Sequence, residues 1–272
     1  MIGAPATATF SDVTVEIGGL PIRLRTDSPS FHHELMERYQ GFVTSPSGSP
    51  LFEFEIELVP PGRICEEEAV RVRLDAGRWF LQRGDFQAEL DPKLGRGSIR
   101  QAAFPYSSDS VLRVLHTLLL AREGGFLVHA ASAIRDGRAY LFAGASGAGK
   151  TTISRLAPGD VTLLTDEISY VRKTQDGYHA FGTPFTGELD RPGENLRAPV
   201  AALYLLARGP ENKIEPVANA HAARGLLENI LFFAADPELV NLVFQSACDF
   251  AGRVPVYRLE FVPNAHVWDM IV

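Results

Sequence analysis

The stretch Tyr140-Leu-Phe-Ala-Gly-Ala-Ser-Gly-Ala-Gly-Lys-Thr-Thr152 constrains the fold of this chain more than any other. Gly144, Gly149, Lys150 and Thr151 satisfy G-x-x-x-x-G-K-[ST], the Walker A or phosphate-binding loop, which requires a strand before it and a helix after it. Both flanks are legible. Residues 139–143 are a short apolar run with the character of a buried strand. Residues 152–156 open a helix that Pro158-Gly159 ends. Glycines let backbone N–H groups turn inward around a polyphosphate, and the helix start adds partial positive charge. In this reading Gly144, Ala145, Ser146, Gly147, Ala148, Gly149, Lys150, Thr151 and Thr152 bind a nucleotide. Lys150 reaches its β- and γ-phosphates, and the Thr151 hydroxyl ligates Mg²⁺.

A phosphate loop calls for a second, acidic feature. Residues 161–165 form the next apolar strand, and it ends in Asp166-Glu167. A carboxylate at the carboxyl end of a strand sits at the crevice mouth of an open α/β sheet, where it holds Mg²⁺ directly or through water. Upstream, residues 126–134 form an apolar strand containing His129, and Arg135-Asp-Gly137 turns the chain back into the strand before the loop. That hairpin predicts an antiparallel edge to the sheet. Residues 182–188, rich in turn formers and ending in Glu188, are either a plain connector or a wall beside the active site. Asn212-Lys-Ile-Glu215 has Glu where a guanine-reading N-K-x-D motif has Asp, and is set aside.

The first third reads as β-rich. Val13, Val15 and Ile17 alternate with polar residues, Gly18-Gly19 turns, and Leu20, Ile22 and Leu24 alternate again. Ser28-Pro29 starts a helix carrying Phe31, Leu35 and Tyr39 on one face, with Gly41 as its stop. After a loop at 45–50, Phe52, Phe54, Ile56 and Leu58 alternate with Glu53, Glu55 and Glu57, which form one solvated strand face. A hairpin over 70–81 and a strand over 86–90 follow, with no catalytic constellation. Ser108-Asp109-Ser110 is a helix cap, with Val111, Leu115, Leu118 and Leu119 on the buried side. Beyond the loop, strands are expected at 168–172, 178–181, 201–206 and 254–261. Helices are expected from Ala220 to about residue 235, capped by Asn219, and over 237–250.

Composition sets outer limits. The chain has 272 residues, 46% hydrophobic and 22% charged, an ordinary globular balance. A net charge of -7 argues against nucleic acid as the main partner. Cys65 and Cys248 form no C-x-x-C pair, as suits a reducing cytoplasm. Met1-Ile-Gly-Ala-Pro lacks the charged and apolar regions of a signal peptide, and no apolar stretch is long enough to span a bilayer.

Four pieces together resemble a known family: Leu127-Val-His-Ala130, Gly144-Ala-Ser-Gly-Ala-Gly-Lys-Thr151, Leu164-Thr-Asp-Glu167 and Val254-Pro-Val-Tyr-Arg-Leu259. From about residue 108 onward the chain is similar to the HPr kinase/phosphorylase catalytic domain, and more so to the stand-alone bacterial HPr kinase-related proteins. The resemblance implies that Asp166 is the catalytic aspartate that takes the proton from a serine hydroxyl, and that Glu167 is the second acidic, metal-assisting position. His129 then stands beside Asp166 and biases its charge. The loop ends Lys150-Thr-Thr152 where the family usually has Lys-Ser-Glu, the acidic pair is Asp-Glu instead of Asp-Asp, and Ala130 stands in place of Gly. The family's later Glu-x-Arg-Gly is replaced at most loosely, by Gly187-Glu188 and Arg191. The loop is also similar to that of the larger phosphoenolpyruvate carboxykinases.

The expectation is an α/β protein. Residues 106–272 form a P-loop kinase core with a mixed sheet, and residues 1–105 form a β-rich region. The expected activity is an ATP- and Mg²⁺-dependent cytoplasmic kinase acting on a serine-type hydroxyl of a small protein or peptide, with Asp166, His129 and Lys150 catalytic and Thr151, Glu167 and Asp166 on the metal. No nucleic acid or membrane is engaged, and a homo-oligomer is possible. A small-molecule kinase of the same fold and a nucleotide-binding regulatory module without turnover are the alternatives.

Overall fold

Alternating apolar residues and paired glycines make the first element of the chain a hairpin. Strands β1 (Ser11–Ile17) and β2 (Leu20–Thr26) pair antiparallel, with Ile17 opposite Leu20 across Gly18-Gly19, both of positive φ. The computed structural model from which this follows describes residues 10–45, 48–60 and 69–271. Cys65, the first residues of the chain and part of the expected loop at 45–50 lie outside the described residues.

The chain divides into two units, Met1–Leu112 and Arg113–Val272. In the first, helix α1 (Pro29–Arg38) begins at Ser28, whose side chain accepts from the Phe31 N–H, a cap worth about 1 kcal/mol. Phe31 and Leu35 are buried as α1 packs on β1 and β2. β3 (Phe52–Leu58) pairs parallel with β2. β4 (Arg71–Asp75), β5 (Arg78–Arg83), β6 (Phe86–Asp91) and β7 (Arg96–Gln101) complete a sheet of order β1-β2-β3-β7-β6-β5-β4 among the described residues. Glu53 lies within 3.3 Å of both Arg23 and Arg25, and Glu57 within 2.8 Å of Arg100, so two of the three glutamates on this face are held in ion pairs. The sequence pattern misses β7 altogether. Its residues, Arg-Gly-Ser-Ile-Arg-Gln, contain one large apolar side chain, and the strand is held by β3 on one side and β6 on the other.

Helix α2 (Pro105–Glu123) begins earlier than Ser108-Asp109-Ser110 suggests. Ser108 and Asp109 are buried inside it. Ser108 donates to Gln101, while the Asp109 carboxylate accepts from the Tyr39 hydroxyl at 2.8 Å and from the Arg38 guanidinium. Their capping residue types serve a buried polar network.

The second unit is built on a nine-stranded mixed sheet among the described residues. β8 (Phe126–Arg135) and β9 (Arg138–Ala143) form the expected hairpin, but it is interior, because β9 also pairs parallel with a later strand. After the loop come α3 (Lys150–Arg155), β10 (Thr162–Thr165), β11 (Ile168–Thr174), β12 (Gly177–Phe181) and β13 (Arg197–Arg208). β14 (Lys213–Pro216), α4 (Asn219–Leu227), β15 (Ile230–Leu231), α5 (Pro237–Arg253), β16 (Val256–Phe261) and a final 3-10 turn at Ala265–Met270 follow. The sheet runs β10-β8-β11-β12-β13-β16-β14, with β9 bridging β8 and β13 and β15 pairing with β8. β9 and β16 both run parallel to β13; β9 ends at Ala143 opposite Leu205, and β13 and β16 run on to pair Arg208 with Phe261.

β9 is buried on both faces, as a central strand requires. Leu141 and Ala143 join Phe250, Ala247 and Leu226 under α4 and α5, while Tyr140 and Phe142 join Ile153 of α3 and Trp268. The single helix expected from Ala220 to about 235 is two elements. Asn229 donates its side-chain amide to Gly225 O and accepts the His129 N–H, and the chain then pairs with β8 as β15. An unfilled flank of β8 outcompetes helix propagation here. The helix cap is Ala218, and Asn219 is the first helical residue. No helix among the described residues is long and apolar enough to cross a membrane.

Candidate functional site

Strand register brings the site together. Ala130 of β8 faces Ala143, the last residue of β9, so His129 stands where the phosphate loop leaves the sheet. Ile168 of β11 faces His129, which sets Glu167, one residue earlier, beside the imidazole. His129 Nε2 and Glu167 Oε1 are 2.7 Å apart. Ligand sites outside the carboxyl ends of parallel strands are the rule in open α/β sheets, and the loop sits at the ends of β9, β13 and β16.

Within the loop, a Cβ on Gly144 would lie 2.7 Å from the Ala148 methyl, and one on Gly149, at φ 112°, 2.7 Å from the Phe261 ring. A side chain at either position would fill the space the backbone turns through. The tip is tied down by Arg208, which donates to Gly147 O at 3.0 Å, and α3 is fixed from behind by Trp268 Nε1 donating to Ile153 O at 3.0 Å. Lys150 is buried, its ammonium donating to Gly144 O at 2.9 Å. Burial pulls its pKa below the ordinary lysine value, opposed by the charges of Glu167 and Glu188.

A cleft of about 410 Å³ opens over these groups. Ser146, Gly147, Gly149, Lys150, Thr151 and Thr152 form one wall. His129 and Glu167 form another, and Thr186, Gly187 and Glu188 line it from the connector after β12, the alternative that places that segment beside the site. Gly144, Ala145 and Ala148 shape the loop without lining the cleft. The Glu167 carboxyl is held below the usual glutamate value, first by the hydrogen bond from His129, against the effect of burial, and then by the charges of His129, Lys150 and Arg113. It is therefore an anion at neutral pH facing the phosphate loop.

Asp166 is placed differently. Its side chain is buried and absent from the cleft wall, and its two carboxylate oxygens accept the N–H groups of Gly187 at 3.0 Å and Leu189 at 2.9 Å. A Cβ on Gly187 would lie 2.7 Å from one of those oxygens, so the glycine backbone is laid directly over the carboxylate. Asp166 thus holds the lip of the cleft. The residue that sequence reasoning passed over is Arg113, whose guanidinium lies 4.9 Å from the Phe185 ring centre and lines the cleft. It lies in an apolar helix with no local motif to mark it.

The groups present fit a metal-bound polyphosphate. Gly144 and Gly149 leave no room for a side chain, Lys150 lines the cleft with its ammonium group, and a hydroxyl (Thr151) and an anionic carboxylate (Glu167) line it as well. Among the described residues no group of three or more His, Cys, Asp or Glu side chains forms a cage. A Mg²⁺ that keeps waters and phosphate oxygens as ligands needs only one or two protein groups.

A family model described as SynChlorMet cassette protein ScmC matches residues 107–272, more than half of the chain, and the chain belongs to that family. No curated protein matches the sequence.

Proposed function

We propose that this ScmC-family chain is an ATP- and Mg²⁺-dependent kinase that transfers a γ-phosphoryl group to a serine-type hydroxyl of a small protein or peptide. The resemblance to HPr kinase-type domains motivates the class. One observation carries it: strand register gathers Lys150, Thr151, His129 and Glu167 around a single cleft. Bound Mg²⁺-ATP supplies the phosphoryl group and the charge that draws electrons toward the leaving oxygen. Phosphoryl transfer asks the protein mostly for positioning and charge stabilisation. Lys150 and the loop N–H groups hold the β- and γ-phosphates. Thr151 and Glu167 would hold the metal. As the acceptor oxygen bonds to phosphorus and the bond to the leaving ADP breaks, the hydroxyl proton would pass to the His129 imidazole, which the Glu167 carboxylate orients through its hydrogen bond. Asp166, the base implied by the resemblance, here fixes the 187–189 segment at the side of the cleft.

The test is transfer of labelled γ-phosphate into a cell extract, with the purified chain and its Lys150→Ala and Glu167→Gln variants. The expected result is a labelled small protein that disappears with Lys150→Ala and is strongly reduced with Glu167→Gln. Equal labelling by all three would overturn the assignment.

The commitment of both Asp166 oxygens to backbone N–H groups favours a second reading, a nucleotide-binding regulatory module without turnover. Tight ATP binding that depends on Lys150, with no transfer to any component of the extract, would select it.

A further inference from the structure

The segment that lines one side of the nucleotide cleft also walls a second cavity. Gly187 and Glu188 face the first, and Leu189, Arg191 and Glu194 face a groove of about 530 Å³. Helix α3 is shared in the same way: Lys150, Thr151 and Thr152 line the cleft, and Arg155, at the other end of the helix, lines the groove. The groove runs along β10, which closes its sheet at that edge and pairs with β8 only among the described strands.

Its lining is divided by chemistry. Val161, Leu163 and Leu189 are half-buried and give an apolar floor. Arg155 and Arg191 are exposed at the wall, and neither has an ion-pair partner among the described residues. Glu194 is the one carboxylate there, and its backbone N–H is tied to Leu163 O. On a chain of net charge -7, two unpaired guanidinium groups over an apolar strip are a local reversal of sign. Guanidinium forks match carboxylates, and such groups steer and orient a charged partner more than they add raw affinity.

We propose that this groove docks an acidic, leucine-type segment of the phosphate acceptor, so that the polypeptide lies along β10 and presents its hydroxyl across the 187–189 lip to the nucleotide cleft. A metabolite filling the cleft would leave the groove unused, whereas a polypeptide is long enough to occupy both. Carboxylates of the segment pair with Arg155 and Arg191, and its apolar side chains cover Val161, Leu163 and Leu189. The inference rests on the kinase reading for the identity of the acceptor, but the groove itself is tested without catalysis.

The experiment measures fluorescence anisotropy of labelled serine-containing synthetic peptides on the full chain. Three flanking compositions are compared: glutamate with leucine, glutamine with leucine, and lysine with leucine. The glutamate peptide is expected to bind about tenfold more tightly than the glutamine peptide, to weaken as salt rises, and to lose that advantage in the Arg155→Glu/Arg191→Glu variant. Arg155→Gln/Arg191→Gln serves as the milder variant, and circular dichroism checks that both fold. Equal binding of the three peptides, or an acidic preference unchanged by charge reversal, overturns the proposal. Calorimetry with Mg²⁺-ATP on the same variants separates the two readings. Nucleotide affinity retained while peptide preference is lost supports the groove, whereas a Lys150→Ala variant that still binds ATP defeats the kinase reading and leaves the peptide result standing.

Discussion

His129 Nε2 stands 2.7 Å from Glu167 Oε1 because the antiparallel register of β8 and β11 sets Ile168 opposite His129. That hydrogen bond is the largest influence holding the Glu167 carboxyl below its ordinary value of 4.5. A depressed carboxyl contributes its charge above its folded pKa and loses it as pH falls through that value. His129→Ala removes the donor, so Glu167 protonates at higher pH. The acid limb of Mg²⁺-dependent nucleotide binding, followed by calorimetry from neutral pH downward, is expected to move toward neutrality. An unmoved limb would show that the His129 hydrogen bond does not set the charge of Glu167.

Lys150→Ala removes the one ammonium of the phosphate loop. Hydrogen bonds to charged groups are worth about 1.5–3 kcal/mol, so affinity for Mg²⁺-ATP is expected to fall about 10- to 100-fold while far-ultraviolet dichroism is unchanged. Calorimetry giving equal affinities for both proteins contradicts the placement of phosphates at this loop.

Asp166→Asn keeps one acceptor oxygen and turns an amide N–H₂ toward a backbone N–H of the 187–189 segment. The expected cost is about 1–3 kcal/mol, the range for a buried donor left unpaired. Hydrogen exchange should quicken at Gly187 and Leu189, an effect that Glu167→Gln does not share. Unchanged exchange at those two amides would show that Asp166 does not hold the lip.

Trp268 is fully buried, its ring set edge-on to Phe142 with centroids 5.3 Å apart, and it anchors α3 through Ile153 O. Trp268→Ala is expected to destabilise the protein by about 3–5 kcal/mol in urea unfolding, and Trp268→Phe by less, losing the hydrogen bond while keeping most of the ring. A Trp268→Phe variant as unstable as Trp268→Ala would mean that the indole N–H dominates.

The parts legible in the sequence were those governed by short-range rules. The Gly18-Gly19 hairpin, the Ser28-Pro29 helix start and the strand–loop–helix order around Gly144 each depend on residues a few positions apart. Spacing and resemblance single out His129 and Glu167, but their contact is a product of register across two strands, which no local pattern encodes. β7 and β15 are strands because neighbouring strands had open flanks. Asp166 and Glu167 read alike as adjacent carboxylates at a strand end. Only the fold gives one to the cleft and the other to the backbone of residues 187 and 189.

The fastening of α3 by Trp268 has a consequence for how the protein is made. Its hydrogen bond to Ile153 spans 115 positions of the chain, and β9 waits for β13 and β13 for β16 before its flanks are filled. Contacts of such long separation form late, because loop closure must precede any gain from pairing. A nascent chain therefore carries its complete phosphate loop on the ribosome without a scaffold to shape it. Nucleotide capture should begin only after residue 268 has emerged, so ribosome-stalled intermediates that expose residues 140–152 alone should not retain ATP.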